Sequence, residues 1–224
     1  VGADGPRAVV EVVLQDEHVG VGAHPGPHLA HPERVVTVAA AVGVNVGVAT
    51  TTARVGSGKH ITSSNGALKV SSVNQTDTTA KADGSQVDSS KNTDVGVGAA
   101  VALNVGVATT TAVVADEAVV STKGLTISAT GVTGEKSDSR AEAKSGAGAG
   151  NVGVAGSLAI NSATNTTVAL LEGDTDSDGA KSSADANSGA VLIEAKNDTT
   201  SSTVVSADVK GTGDKAKVGV GASI

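Results

Sequence analysis

The 224-residue chain carries 16 Lys and Arg against 23 Asp and Glu, for a net charge of −7, and it contains no Phe, Tyr, Trp, Met or Cys. An acidic chain without a basic cluster argues against nucleic acid or an anionic membrane as partner, and the absence of thiols removes disulfides and thiolate metal sites. Without aromatic side chains the interior has to be filled by Val, Ala and a few Leu and Ile, which suit thin stacked β layers better than a globular core. The 29 Gly do not recur at every third position and there are only 4 Pro, so collagen is excluded.

Taken in chain order, residues 1–35 stand apart. All four Pro (Pro6, Pro25, Pro27, Pro32) and four of the five His lie there. Val9–Leu14 reads as a strand, whereas Gln15–Arg34 is interrupted by Pro and is expected to form a loop or an irregular edge. No apolar run approaches the roughly 20 residues of a helical membrane span. The chain begins without Met or a signal peptide and stops inside a repeat, so it reads as a piece of something longer.

From Val36 the chain repeats itself. Val36–Val55 is VTVAAAVGVNVGVATTTARV, Val95–Val114 is VGVGAAVALNVGVATTTAVV and Val152–Leu171 is VGVAGSLAINSATNTTVALL; a fourth copy opens at Val218 as VGVGASI. Each full copy has Asn in the same place (Asn45, Asn104, Asn161), followed eight residues later by Ala (Ala53, Ala112, Ala169). A second marker, Leu68–Val70, Leu125–Ile127 and Val191–Ile193, precedes the next copy by 27 residues each time, whereas the span from marker Ala to this short strand is 15, 13 and 22 residues. Length variation then falls at one corner, as in strands stacked in register with one tolerant surface loop.

Alternation marks these segments as strands rather than helices. In Val95–Leu103 the larger side chains fall on one face and Gly or Ala on the other; neither face is polar, so cover on both sides is expected. Ser137–Ser145 and Thr76–Asp83, which mix Ala with charged or hydroxyl residues, read as half-exposed strands. The expected fold is all-β, a parallel β-solenoid of imperfect repeats of about 57–66 residues. Residues 36–224 form the array, about three repeats plus a truncated one, almost free of helix. Two constant arms and one variable corner favour one wide coil per repeat, which places Asn45, Asn104 and Asn161 in a hydrogen-bonded column.

VGVGAAVALNVGVATTTAVV, followed by GLTISA and a Gly/Ala-rich return, resembles the repeat regions of giant secreted bacterial adhesins of the filamentous-haemagglutinin and leukotoxin-type filamentous families. The resemblance covers roughly residues 36–224. It implies a non-catalytic stalk segment at the bacterial cell surface or secreted from it. The implied partners are neighbouring repeats of the same longer chain and a surface receptor or matrix.

Candidate sites are few. Asp174, Asp176, Asp178, Ser182 and Asp185 occupy positions 1, 3, 5, 9 and 12 of a loop with Gly179 at position 6, the oxygen-donor pattern of an EF-hand-type Ca2+ loop. Lys181 at position 8 and Asp at position 12 depart from that pattern. No cofactor is required by any motif, and Ca2+ is the one candidate. His24, His28 and His31 have the residue types for zinc, but Pro and Gly between them prevent the regular helix that would gather them. The ATTTA segments, Thr50–Thr52 and Thr109–Thr111, suggest an alternative: a solenoid binding ice or mineral through a flat Thr/Gly face, interrupted at Asn165 in the third copy. A polysaccharide-processing β-helix is the weaker alternative, since sugar clefts need aromatic platforms. No Cys nucleophile, GxSxG or HExxH motif is present, and Gly56–His60 lacks the spacing of a phosphate-binding loop.

Overall fold

The structure, a computed structural model, describes residues 8–14, 35–86, 93–149, 151–174, 179, 181–211 and 218–224. Every regular element in these residues is a strand. A short strand, β1 (Ala8–Leu14), precedes the array. The first coil then runs through a long strand, β2 (Val35–Val55), a three-residue strand, β3 (His60–Thr62), a six-residue strand, β4 (Leu68–Val73), and a return strand, β5 (Thr78–Ser85). The second coil repeats this order as β6 (Thr93–Val114), β7 (Val119–Ser121), β8 (Leu125–Thr130) and β9 (Ser137–Ala149). The third does so as β10 (Val152–Leu171), β11 (Ser183–Asp185), β12 (Val191–Lys196) and β13 (Thr199–Gly211), and β14 (Val218–Ser223) opens a fourth.

Equivalent strands of successive coils pair in parallel. The long strands form the sheet β1-β2-β6-β10-β14, and three three-stranded sheets, β3-β7-β11, β4-β8-β12 and β5-β9-β13, complete the coil. The chain is therefore a parallel β-solenoid with one wide coil per repeat. Asn45, Asn104 and Asn161 are direct partners across the long sheet. β1 closes the first edge of that sheet by pairing antiparallel to β2, Ala8 opposite Val46 through Leu14 opposite Ala40.

Two features differ from the sequence-based expectation. The constant interval of 27 residues conceals two compensating changes. Thr78 and Ser201 both pair with Ser139, although Thr78 lies 10 residues after Leu68, Ser201 10 after Val191 and Ser139 14 after Leu125. The middle coil thus carries four extra residues at the exposed corner around Val132–Lys136 and four fewer on the return. With the span from marker Ala to short strand, three segments of the coil vary in length rather than one.

The second difference concerns which face is covered. The small residues of the long strands (Ala41, Gly43, Asn45; Ala100, Ala102, Asn104) point inward, and the Val residues point out, where no element among the described residues packs over them: Val48 is 64% exposed. A single-layer coil has an inside and an outside, so only one face of each strand is enclosed. Among the described residues the expected cover on both faces is therefore absent.

The interior is a wedge. Near the starts of the long strands the opposing sheets are separated by little more than backbone, and a Cβ at Gly98 would collide with the Gly146 carbonyl oxygen, as one at Gly96 would with that of Gly148. Ala41, Ala80, Ala82, Ala100, Ala102, Ala141 and Ala143 fill the next stretch. At the far end the coil widens around Val55, Val70, Val114, Val120, Leu125 and Ile127. Gly98→Ala is expected to cost about 1–3 kcal/mol through overpacking against backbone that has nowhere to move. Gly156→Ala, on the outer face with open space around it, should stay within about 0.5 kcal/mol of the parent. Paired urea denaturation curves check this; equal midpoints for the two variants would contradict the wedge.

Candidate functional site

Between the Ala-filled and the Val/Leu/Ile-filled parts of the wedge lies a buried polar stratum. Asn104 is fully enclosed (0% exposed) and Asn45 is buried. Asn45 Nδ2 donates to Asn104 Oδ1 at 2.8 Å, and Asn104 Nδ2 donates to Asn161 Oδ1 at 2.8 Å. A second column faces this one from the return sheet, where Thr78, Ser139 and Ser201 are in register. Asn104 Nδ2 also reaches Ser139 Oγ at 2.9 Å and Thr78 Oγ1 at 3.0 Å. Ser139 Oγ donates to Asn161 Oδ1 at 2.8 Å, and Asn161 Nδ2 donates to Ser201 Oγ at 2.9 Å. The network joins coil to coil and sheet to sheet at once. Buried amides in such an arrangement stabilise only when their donors and acceptors are met, and here the neighbouring coils supply the partners.

The hydroxyl column had no clear signature in the sequence. Its members sit at unequal distances from the Asn of their own coil because both intervening corners vary, and Ser and Thr are frequent throughout. Counting register back from the return strands rather than forward from the short ones would have found it.

Of the proposed Ca2+ ligands, Asp176 and Asp178 lie outside the described residues. Asp174 Oδ2 accepts the Gly179 amide at 3.1 Å, closing the loop from position 1 to position 6, and Gly179 has φ +88°. The Ser182 hydroxyl donates to the Glu172 carbonyl. Asp185 ends β11, where it pairs with Ser121, and its Oδ1 accepts the Asn187 amide at 2.8 Å. Among the described residues no group of three or more His, Cys, Asp or Glu is arranged to hold a metal ion. His24, His28 and His31 also fall outside the described residues. Gly56–His60 is a tight turn into β3, with Gly58 at φ +64° and Ser57 Oγ donating to Glu117 Oε2 at 3.4 Å.

The Thr segments are placed differently from expectation. Gly43, Gly96 and Gly98 line the interior, so the exposed face is Val and Thr rather than Thr and Gly. Asn165 pairs with Ala108, faces inward and donates to Thr199 Oγ1 at 2.6 Å, so it does not interrupt the outer array. Thr50, Thr109 and Thr166 form an unbroken outward row; the next row, Thr52, Thr111 and Val168, is broken by Val168.

The opposite outer face is charged. Lys81 and Glu142 approach to 3.8 Å, Arg140 and Glu142 to 3.1 Å, and Lys144 and Asp83 to 3.7 Å, all largely solvated and individually worth little. The Ser85 hydroxyl and amide, with the Lys144 ammonium, hold the Asp83 carboxyl below its ordinary value against the opposing effect of partial burial. A polar pocket at the corner lined by Asn74, Thr110, Ser137, Asn165 and Asn197 is the size of a water molecule. With this geometry in hand, no protein-family model, curated protein or solved structure matches the chain.

The polar stratum therefore acts as structure. Asn104→Ala would strand the Asn45 amide, at about 1–3 kcal/mol when left buried and unpaired, and take one partner each from Asn161 Oδ1, Ser139 and Thr78, which keep their bonds to one another, so a loss of about 3 kcal/mol is expected. Asn45→Ala, at the column's end, should cost about half as much, since fewer partners are orphaned. Denaturant titration of both variants tests the ranking; equal, small losses would mean that the column is ornamental.

Proposed function

We propose that this chain is a stalk segment of a secreted or cell-surface bacterial adhesin, without a catalytic role, whose partners are neighbouring repeats of the same longer chain and a surface receptor or matrix. The observation that supports this most directly is additive stacking. β14 continues the array on β10 in the same register, Val152 opposite Val218 through Ser157 opposite Ser223. The third coil presents, at its outer edge, side chains that a further coil would bury: Val191 and Ile193 are 52% and 47% exposed, while their second-coil equivalents Leu125 and Ile127 are at 1% and 0%. Each coil adds one strand spacing of about 4.8 Å to the length and contacts only its neighbours, the mechanical logic of a stalk. Among the described residues there is no helix long and apolar enough to cross a membrane.

Two measurements test this. Stretching single molecules should release coils in steps of about 200 Å, the extended length of one repeat. An antibody to the array should label intact producing cells. Labelling that appears only after lysis would overturn the surface assignment even if the stepwise extension is seen.

A reading as an ice- or mineral-binding solenoid draws on the unbroken outward row Thr50, Thr109 and Thr166. We also propose that the 174–185 loop takes Ca2+ through Asp174, Asp176, Asp178, Ser182 and Asp185, the Asp174–Gly179 closure being the feature in its favour. Calorimetry should register weak binding, Kd about 10⁻⁴–10⁻³ M, abolished by Asp174→Ala with Asp176→Ala. Absence of heat at millimolar Ca2+ would remove this site.

A further inference from the structure

The two broad outer surfaces of the solenoid are chemically opposed. On the return sheet the outward positions of the first two coils include Lys81 and Asp83, then Arg140, Glu142 and Lys144, and those of the third include Ser202, Val204, Ser206 and Asp208. On the long sheet the outward positions from Val36 to Thr52, Val95 to Thr111 and Val152 to Val168 include no charged residue. Its centre is two complete apolar rows, Val42–Val101–Leu158 and Val44–Leu103–Ile160. Of these, Val42, Val44, Val101 and Ile160 are exposed.

The rows repeat about every 6.6 Å along the strands and about 4.8 Å across them. The rows that are apolar in all three strands, from Val36 to Val44, cover on the order of 400 Å², and the whole face from Val36 to Thr52, its Ser and Thr positions included, on the order of 800 Å². The apolar part matches the largest apolar patch of an ordinary monomer, roughly 300–600 Å², and the whole face equals one partner's share of a standard stable interface, about 800 Å².

We propose that this face binds the same face of a second copy of the chain, sheet on sheet. The fit is of shape and charge together. A flat grid of Val knobs related to itself by a two-fold axis meets an identical grid, which is what an isologous contact requires. Aligned sheets interdigitating small branched side chains about 10 Å apart make an ordinary β-sandwich core. Each copy carries −7, and face-to-face packing puts both charged sheets on the outside, away from each other. Its one outward cation, Arg54, sits at the far end of β2 and is engaged by Glu172 at 3.5 Å, so the Val rows have no cation among them to meet a lipid headgroup and a membrane surface is a poorer match. The proposal stands on the exposed face alone and does not depend on the adhesin reading.

Sedimentation velocity on the full chain should give a dimer of the 21.4 kDa protomer at about 100 µM or below. Val44→Lys with Leu103→Lys, both at outward positions, should weaken the dimer at least tenfold while leaving the circular dichroism spectrum unchanged. If that pair impairs folding, Val44→Thr with Leu103→Thr keeps side-chain branching and β propensity and should also weaken it. Lys81→Ala, on the charged face, should change nothing. The proposal is overturned by a parent chain that stays monomeric across this range, including one that shapes ice crystals as a monomer. It is equally overturned by a dimer insensitive to the face variants but dispersed by Ile193→Lys, which would place the contact at the open edge of the coil.

Discussion

The alignment of one coil on the next rests on the buried asparagine column. The long strands alternate so simply that several registers satisfy their pattern. A slip of one residue would turn the Val face inward, where the interior has room only for Gly and Ala. A slip of two residues is harder to prevent, because every Val would remain outside and every small residue inside. In that case Asn104 would stand opposite Gly43 or Gly47 instead of Asn45, and a fully enclosed amide would lose its partner. A buried polar group that fixes register where apolar packing cannot is the best-attested use of such groups. The hydroxyl column opposite it extends the same constraint to the return sheet.

The composition follows from this geometry. Where the sheets are separated by the thickness of a Gly backbone and an Ala methyl, no aromatic ring can enter. Toward the far end the coil opens enough for Leu125 and Ile127, its largest fully buried side chains. The lack of Phe, Tyr, Trp and Met is thus the residue-level statement of a thin wedge. Stability has to come from many small contacts and from backbone pairing repeated coil after coil, as in other arrays whose energetics sum over neighbours.

Much of this was legible in the sequence because the repeats are near copies. Identical spacing from Val36, Val95 and Val152 to Asn and Ala revealed the stacked register of the long strands, and Leu68, Leu125 and Val191 revealed the short ones. What could not be read was sidedness. Period-two alternation says that Val and Gly occupy opposite faces and is silent about which is enclosed; that depends on how close the return sheet comes, a tertiary property. The same gap put Asn165 on the wrong face. The four-residue insertion before β9 escaped because a shorter return cancelled it, leaving the interval unchanged. The three-residue strands β3, β7 and β11 are too short to carry any period.

The outer Val rows raise the question of whether the fold itself demands them. The return sheet answers it. There Ala80 and Ala82 point inward as Ala100 and Ala102 do, yet the residues between and beyond them are Lys81 and Asp83, and in the next coil Ala141 and Ala143 are interleaved with Arg140, Glu142 and Lys144. An inward column of small residues is therefore fully compatible with outward charge. β propensity does not require Val either, since Thr fills outward strand positions equally well, as Thr50 and Thr109 do on this very sheet. A solenoid that needed only to remain long and soluble would carry the same kind of exterior on both sides. The asymmetry between a return sheet carrying Lys81, Asp83, Arg140, Glu142 and Lys144 in its first two coils and a long sheet carrying Val rows at the equivalent outward positions is imposed by something other than the coil, and the physical demand that apolar surface makes in water is to be covered.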